Sequence, residues 1–405
     1  MRPVAPLSRV EFIALMAMMF SIIAFSIDSM LPALPEIAAT LTPDAPNRAQ
    51  LVLTSFVLGM GLGTFFTGPL SDTFGRKPVL MAGAALYITG ALLGALAQSL
   101  DLLLAARVLQ GLGAAGPRVV SLAIIRDLYA GRGMAQLMSF VMMIFTLVPA
   151  LAPSLGALII YLAGWRGVFV SFILFAVIGT LWLGLRQPET LPVERRRPLH
   201  ARTLITALKE VFAHPTVRIT IMIQTLVFGV LFAMLSSSQQ IFDITFDQGA
   251  NFPFWFGGIA IVSGSASFLN ARLVMRLGMR RMVHLALTIQ LAVSGTMLVL
   301  LASHALAGTM AFAAYVLWQT SVFFMVGLTL GNLNAIAMEP MGHIAGMAAS
   351  MIGAVSTVAA VLIAAPIGLA FDGTPLPLAI GIFICVTLAL LLMRRIREEP
   401  SITVA

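Results

Sequence analysis

The sequence predicts an all-α integral membrane protein of about twelve transmembrane helices, arranged as two pseudo-symmetric six-helix bundles. Three observations predict it. First, the 405 residues are 60% hydrophobic and only 10% charged, where an ordinary soluble domain carries roughly 25% charged residues. A soluble fold this apolar would lack the polar surface to cover itself, whereas lipid accepts apolar side chains facing outward. Second, stretches of about 20 mostly apolar residues, the length one crossing needs, recur along the chain. Third, the basic residues gather in every second loop.

The expected spans are 12–35, 48–70, 78–98, 102–125, 135–161, 166–185, 216–240, 252–273, 282–302, 306–331, 342–369 and 375–393. No strand-like alternation accompanies them, which argues against a β-barrel. The first stretch is too long for the apolar region of a signal peptide, and no small-residue cleavage site follows it. It reads as the first span.

The formal charge of +8 raises the question of nucleic acid, and its placement answers it. Arg2, Arg9, Arg76, Lys77, Arg126, Arg132, Arg186, the run Arg195-Arg196-Arg197, Arg272, Arg280, Arg394 and Arg397 fall on one set of loops. The opposite loops hold only Arg48 and Arg166, beside Asp44, Asp101, Asp243, Asp247 and Asp372. This is the positive-inside pattern. It predicts cytoplasmic termini and an even number of spans, and it removes the reason to expect nucleic-acid binding. Cys385 is the sole cysteine, so no disulfide framework or cysteine metal site is available within one chain. The histidines His200, His214, His284, His304 and His343 are scattered near loops. No metal, nucleotide or hydrolase motif is present, and the phosphate-binding glycine loop of ATP-driven machines is missing. Neither a cofactor nor enzymatic activity is expected.

The longest polar interruption, from about Arg186 to Arg218, divides the chain into a first bundle (1–186), a cytoplasmic linker (187–214) and a second bundle with a short cytoplasmic tail (215–405). Within it, Thr203 to Lys209 reads either as an amphipathic helix on the inner membrane surface or as plain linker. The halves look related. Gly68-Pro69-Leu70-Ser71-Asp72-Thr73-Phe74-Gly75-Arg76-Lys77 follows the second span, and Ala271 to Arg280 follows the eighth with the Leu, the Gly and a closing base kept. Such repeats place a substrate site between the halves, near the bilayer midplane.

Asp28 is the most informative position. It lies inside the first span, just before Pro32, and a charged carboxylate facing lipid there would cost several kcal/mol. It must face the interior and take up a proton or a cation; the plainer reading is a cap on the broken turn before Pro32. Arg107, at a matching depth in the fourth span, is the expected partner of Asp28, or else a tie to backbone carbonyls. Arg118 is a second cation on the same helix, for an anionic substrate group or snorkelling to the surface.

The Gly68–Lys77 loop reads as a latch. Asp72 is expected to meet the positive N-terminus of another span, Arg76 to pair with an acid such as Asp127, and Gly75 to allow a tight turn. Pro149, Pro153 and Gly156 make the fifth span a hinge or simply a closely packed helix. Phe20, Phe56, Phe145, Gln224, Phe228, Trp318 and Asn332 are candidates to line an adaptable substrate cavity. For the amides, tying helices together is the plainer reading; for the aromatic residues, facing lipid.

These motifs resemble the major facilitator superfamily over nearly the whole chain. Gly68-x-Leu70-x-Asp72-x-x-Gly75-Arg76-Lys77 is similar to its loop signature, and Arg107-Val108-Leu109-Gln110-Gly111-Leu112-Gly113 to the fourth-span signature of proton-coupled members. Pro149-x-x-x-Pro153-x-x-Gly156 is similar to the fifth-span motif of antiporters in the Bcr/CflA drug-resistance branch, and Asp28 to Pro35 to that branch's first span. The resemblance implies a drug:proton antiporter in the bacterial inner membrane, acting as a monomer. Its partners would be membrane lipid, protons and a small hydrophobic or amphiphilic substrate. It implies proton coupling at Asp28 and Arg107 and gating at Asp72 and Arg76. Met275 stands where the repeat would carry its acid, so the second latch is expected to be degenerate. The alternatives are an exporter of a metabolite or siderophore on the same fold and, from another class, a non-transporting membrane receptor or assembly protein.

Overall fold

The computed structural model describes residues 7–196, 198 and 201–396. Arg2, Arg197, His200, Arg397 and most of the expected tail lie outside the described residues, as do the side chains of Arg202, Thr203 and Leu204. The described chain is helical, in the order α1 (Arg9–Asp28), α2 (Leu34–Leu41), α3 (Leu51–Phe74), α4 (Arg76–Ala95), α5 (Leu100–Leu128), α6 (Gly131–Arg186), α7 (Ala201–Ala213), α8 (Pro215–Gln240), α9 (Phe252–Leu277), α10 (Met279–Ala302), α11 (Gly308–Met338), α12 (Ala345–Leu369) and α13 (Leu376–Met393).

Among the described residues, 10 helical stretches are long and apolar enough to cross a membrane. Two of them are too long for one crossing. The 56 residues of Gly131–Arg186 would reach roughly 84 Å as one straight helix, against a hydrocarbon core of about 30 Å. α6 folds back at Gly164, whose φ of 66° is open to glycine and strained for other residues. The 62 residues of Gly308–Leu369 turn through the 3₁₀ segment Glu339–Ile344, with Met341 out of helical conformation. Each is two crossings, which gives the expected twelve.

Local chemistry sets several ends. The side chains of Ser8 and Ser99 accept from Glu11 N and Leu102 N and cap α1 and α5, as short hydroxyl residues do at N-caps. Gly75 (φ 101°) and Gly278 (φ 80°) make the tight reversals from α3 to α4 and from α9 to α10. A Cβ on Gly111 of α5 would lie 2.0 Å from Phe56 O of α3, so these two helices pack backbone to backbone.

α1 to α6 form one bundle and α8 to α13 the other. They meet where α3 packs on α12 and where the first segment of α6 packs on α9. The linker segment read as either a surface helix or plain chain is the helix α7. Ala207 and Val211 bury against Val217, Ile221, Ala348, Met351 and Ile352 of the second bundle. Protein rather than lipid covers that face.

Candidate functional site

α1 stops at Asp28 because Pro32 and Pro35 follow, and proline supplies no backbone donor. The chain passes through a 3₁₀ turn at Leu31–Ala33 before resuming as α2. Asp28, at this break, is 5% exposed, and no hydrogen bond or ion pair joins it to another described residue. Arg107, which reaches the α1 backbone two residues earlier, is fully buried. Its Nη2 donates to Ser26 O at 3.1 Å, its Nε to Val52 O at 3.1 Å and its Nη1 to Gln110 Oε1 at 2.7 Å. The guanidinium lies over the Phe56 ring, 4.4 Å from its centroid, a favourable place for a desolvated cation. Ser26 Oγ and Tyr87 OH share a hydrogen bond of 2.6 Å. The expected Asp28–Arg107 ion pair is therefore not made. The fork of Arg107 instead clamps the α1 backbone two residues before Asp28 and ties α5 to α3.

Gly156, from the expected hinge, packs on this break. A Cβ there would lie 2.3 Å from Ser29 O. Pro153 is buried and Pro149 half-buried. A Cβ on Gly257 of α9 would sit 2.9 Å from the Ala150 carbonyl. The segment 149–156 thus touches the break of α1 on one side and the second bundle on the other.

At the cation-rich end, Arg76 is 8% exposed. It donates to Asp127 Oδ2 at 2.9 Å and to Ser71 Oγ at 2.9 Å, and it pairs with Asp72. The Arg76–Asp127 pair is as expected. Asp72 pairs in addition with Arg76 of its own bundle, because the tight turn at Gly75 brings the arginine within reach.

Sequence reasoning missed Glu189 and Thr190, just beyond α6. Glu189 accepts from Arg76 N at 3.0 Å and Lys77 N at 2.9 Å, and Thr190 Oγ1 donates to Asp127 at 2.9 Å. Burial pushes the Glu189 carboxyl up, but the backbone N–H groups of Leu191, Lys77, Arg76 and Thr190 outweigh it and hold the group below the usual range. A signal existed. α4 begins straight after a glycine with no side-chain cap of its own, so its first N–H groups needed a partner from elsewhere. The second latch, expected to be degenerate, keeps an ion pair: Arg280 lies 3.6 Å from Glu339. Met275, in the place of Asp72, is 87% exposed.

Several cavity candidates are engaged inside their own bundles. Phe56 lies under Arg107. Trp318 donates to Ser294 Oγ at 3.1 Å, Asn332 to Asn270 Oδ1 at 2.7 Å, and Gln224 accepts from Ser356 Oγ at 3.3 Å. Phe228 stacks on Phe232. Phe20 is buried and Phe145 half-buried. Arg118 is exposed, three turns further along α5 than Arg107.

Two pseudo-symmetric bundles, discontinuous helices and a buried polar layer between the membrane faces define a membrane transporter of the alternating-access class. The chain belongs to the major facilitator superfamily, whose family model matches residues 14–364. It is 29% identical over 389 residues to a bicyclomycin resistance protein homolog of Haemophilus influenzae, covering 94% of each chain. Over 147 residues it is 37% identical to a chloramphenicol resistance protein of Pseudomonas aeruginosa, covering 36% of this chain and 35% of the other. Its fold superposes on a D-xylose–proton symporter with a TM-score of 0.76 at 15% identity, covering 97% and 99% of the two chains. The human organic anion transporter MFSD10 superposes with a TM-score of 0.64 at 19% identity, covering 95% and 99%.

Proposed function

We propose that this chain is a proton-coupled efflux transporter of small hydrophobic or amphiphilic compounds, of the drug:proton antiporter kind. It would sit as a monomer in the bacterial inner membrane with its cation-rich end in the cytoplasm. The observation that carries the proposal is Asp28: a buried carboxylate without a partner, at the break of a transmembrane helix whose backbone a buried arginine clamps two residues earlier. A group so placed is costly to keep charged and idle, and it gains most by exchanging a proton as its surroundings change. The names of the relatives, which speak of bicyclomycin and chloramphenicol resistance, support antibiotic-like compounds as cargo.

In this reading, 1–186 and 215–405 rock against each other about the 149–156 segment. Asp28 carries a proton in the inward-facing state, and drug entry favours its release to the cytoplasm. The halves then tilt, and a proton from outside displaces the drug. Arg107 positions α1 so that Asp28 moves with the polar layer. The Arg76–Asp127–Glu189 network holds the cation-rich end of the first bundle as one unit. Each proton entering down a membrane potential supplies about 2.3 kcal/mol per 100 mV, enough for roughly fiftyfold accumulation of a neutral drug.

The test is Asp28→Asn in proteoliposomes. Drug-driven proton release is expected to vanish while drug–drug exchange persists. Unchanged proton release would remove Asp28 from the mechanism. Flux of an endogenous metabolite with no resistance phenotype would point instead to a metabolite exporter.

A further inference from the structure

We propose that Asn47, Gln50 and Gln240 form the gate at the cation-poor end, a clasp of neutral side chains that joins the bundles and opens by exchanging its hydrogen bonds for water. Asn47 and Gln50 precede α3 in the first bundle, and Gln240 ends α8 in the second. Gln240 Nε2 donates to Asn47 Oδ1 at 2.6 Å, and Gln240 Oε1 accepts from Gln50 Nε2 at 2.5 Å. Gln50 Oε1 accepts from Ser237 Oγ at 3.2 Å. Asn47 Nδ2 donates to Leu369 O at 3.2 Å and to Phe371 O at 2.7 Å. Every polar side-chain atom of the three amides is thus used, and each of these bonds crosses from one bundle to the other.

Three features make this a gate rather than incidental packing. The carbonyls that Asn47 meets belong to the last residue of α12 and the loop after it, where a helix leaves C=O groups without intrahelical partners. The first bundle thereby caps a helix of the second. The seat is also cut to size, since a Cβ on Gly368 would lie 2.3 Å from Gln50 Oε1. Finally, α8 lies against the Leu31–Ala33 turn just beyond Asp28, and α8 itself breaks after Gln240 into a π-helical turn, Ile241–Thr245. The clasp therefore stands over the breaks of both α1 and α8. Its release is the step that would open Asp28 to that face of the membrane. Amides suit a reversible joint, because water replaces their hydrogen bonds at small net cost, whereas a buried ion pair at this depth would resist parting.

The experiment uses the full chain in membrane vesicles of both orientations, in a Cys385→Ser background. One reporter is Thr54→Cys, a turn below Gln50 on α3 and 3% exposed in the native residue. The other is Ser350→Cys, whose native hydroxyl faces Gly68 at the opposite end. A membrane-impermeant maleimide reads both. Gln50→Ala, and separately Gly368→Ala, which removes no polar group, are each expected to raise Thr54→Cys labelling roughly tenfold. The same variants should slow Ser350→Cys labelling, since opening one end closes the other. Unchanged Thr54→Cys labelling overturns the proposal, and so does a rise at both reporters, which means loosening rather than gating. The face from which Thr54→Cys reacts reports the membrane orientation separately. No drug or proton gradient is needed, so failure here is distinct from failure of the antiport reading.

Discussion

Both bundles carry a buried polar cluster about two turns into corresponding helices, yet only one is charged. In the first, Arg107 of α5 reaches Ser26 O on α1, Val52 O on α3 and Gln110. In the second, the matching place on α11 holds Tyr315, whose hydroxyl meets Met234 Sδ of α8 at 4.0 Å, while Gln319 Nε2 donates to Ser238 Oγ of α8 at 2.9 Å. The first helix of each bundle also breaks beyond the cluster, after Asp28 in one and after Gln240 in the other. The repeat has kept the architecture and confined the charged groups to one copy. A charge that must respond to protons is needed once, and a second buried charge would add desolvation cost without adding a coupling site.

That contrast can be broken, and Arg107 is where most is at stake. Arg107→Ala should destabilise the protein by about 3–5 kcal/mol, since it strands the buried Ser26 carbonyl and Gln110 Oε1 and leaves a void. Tyr315→Phe should cost about 1 kcal/mol, because its hydroxyl gives up a weak contact to sulfur and one to the Ser238 hydroxyl, with no charge left stranded. Thermal unfolding of both variants in detergent checks the pair; equal losses would end the claim that the charged cluster is the critical one. The neighbouring amides sharpen it. Gln110→Leu should cost about 1–3 kcal/mol even though its Nε2 had no partner, because its Oε1 is an acceptor for the buried Arg107 charge. In Gln319→Leu, the lost side chain carries an oxygen that had no partner, so the net change should stay within about 1 kcal/mol.

The latches repeat the pattern at smaller scale. The Arg76 and Asp127 side chains are 10% and 20% exposed, against 21% and 49% for Arg280 and Glu339. Arg76→Gln should therefore cost about 2–3 kcal/mol, and Arg280→Gln about 0–1 kcal/mol, by the same unfolding measurement.

Glu189→Gln should bring a subtler loss, about 1 kcal/mol, as expected for removing a charged partner at a helix N-terminus. Its pH dependence has a definite sign. The folded state favours the ionised carboxyl, so the contribution is fully present above the ordinary glutamate value of about 4.3. It is lost as pH falls through the lower folded value. The stability gap between wild type and Glu189→Gln should be constant at neutral pH and close on acidification below that range.

Much of this molecule was legible in one dimension, and the exceptions share a cause. The spans, the tight turn at Gly75, the reach of Arg76 to Asp127 and the burial of Asp28 follow from residues close in sequence or from depth along a helix. The substrate candidates fared differently. Trp318, Asn332 and Gln224 are polar or aromatic residues in apolar helices, and depth alone does not tell whether such a side chain faces a cavity or a neighbouring helix. Asn47 and Gln50 read as ordinary loop polarity until Gln240 was seen across from them. Glu189 caps a helix that begins more than a hundred residues earlier in the chain.

Hydropathy and the placement of charge, read from the amino acids alone, determined that the chain crosses the membrane about twelve times in two related halves. They can do so because lipid forces each crossing to satisfy its own backbone hydrogen bonds locally. Only the tertiary structure decided which bond each polar side chain makes: that Arg107 clamps carbonyls instead of Asp28, and that neutral amides join the bundles at one end. Those pairings depend on the rotation of each helix about its axis and on the backbone approach allowed by small residues such as Gly111, Gly156 and Gly368, which the packing of all the helices together sets.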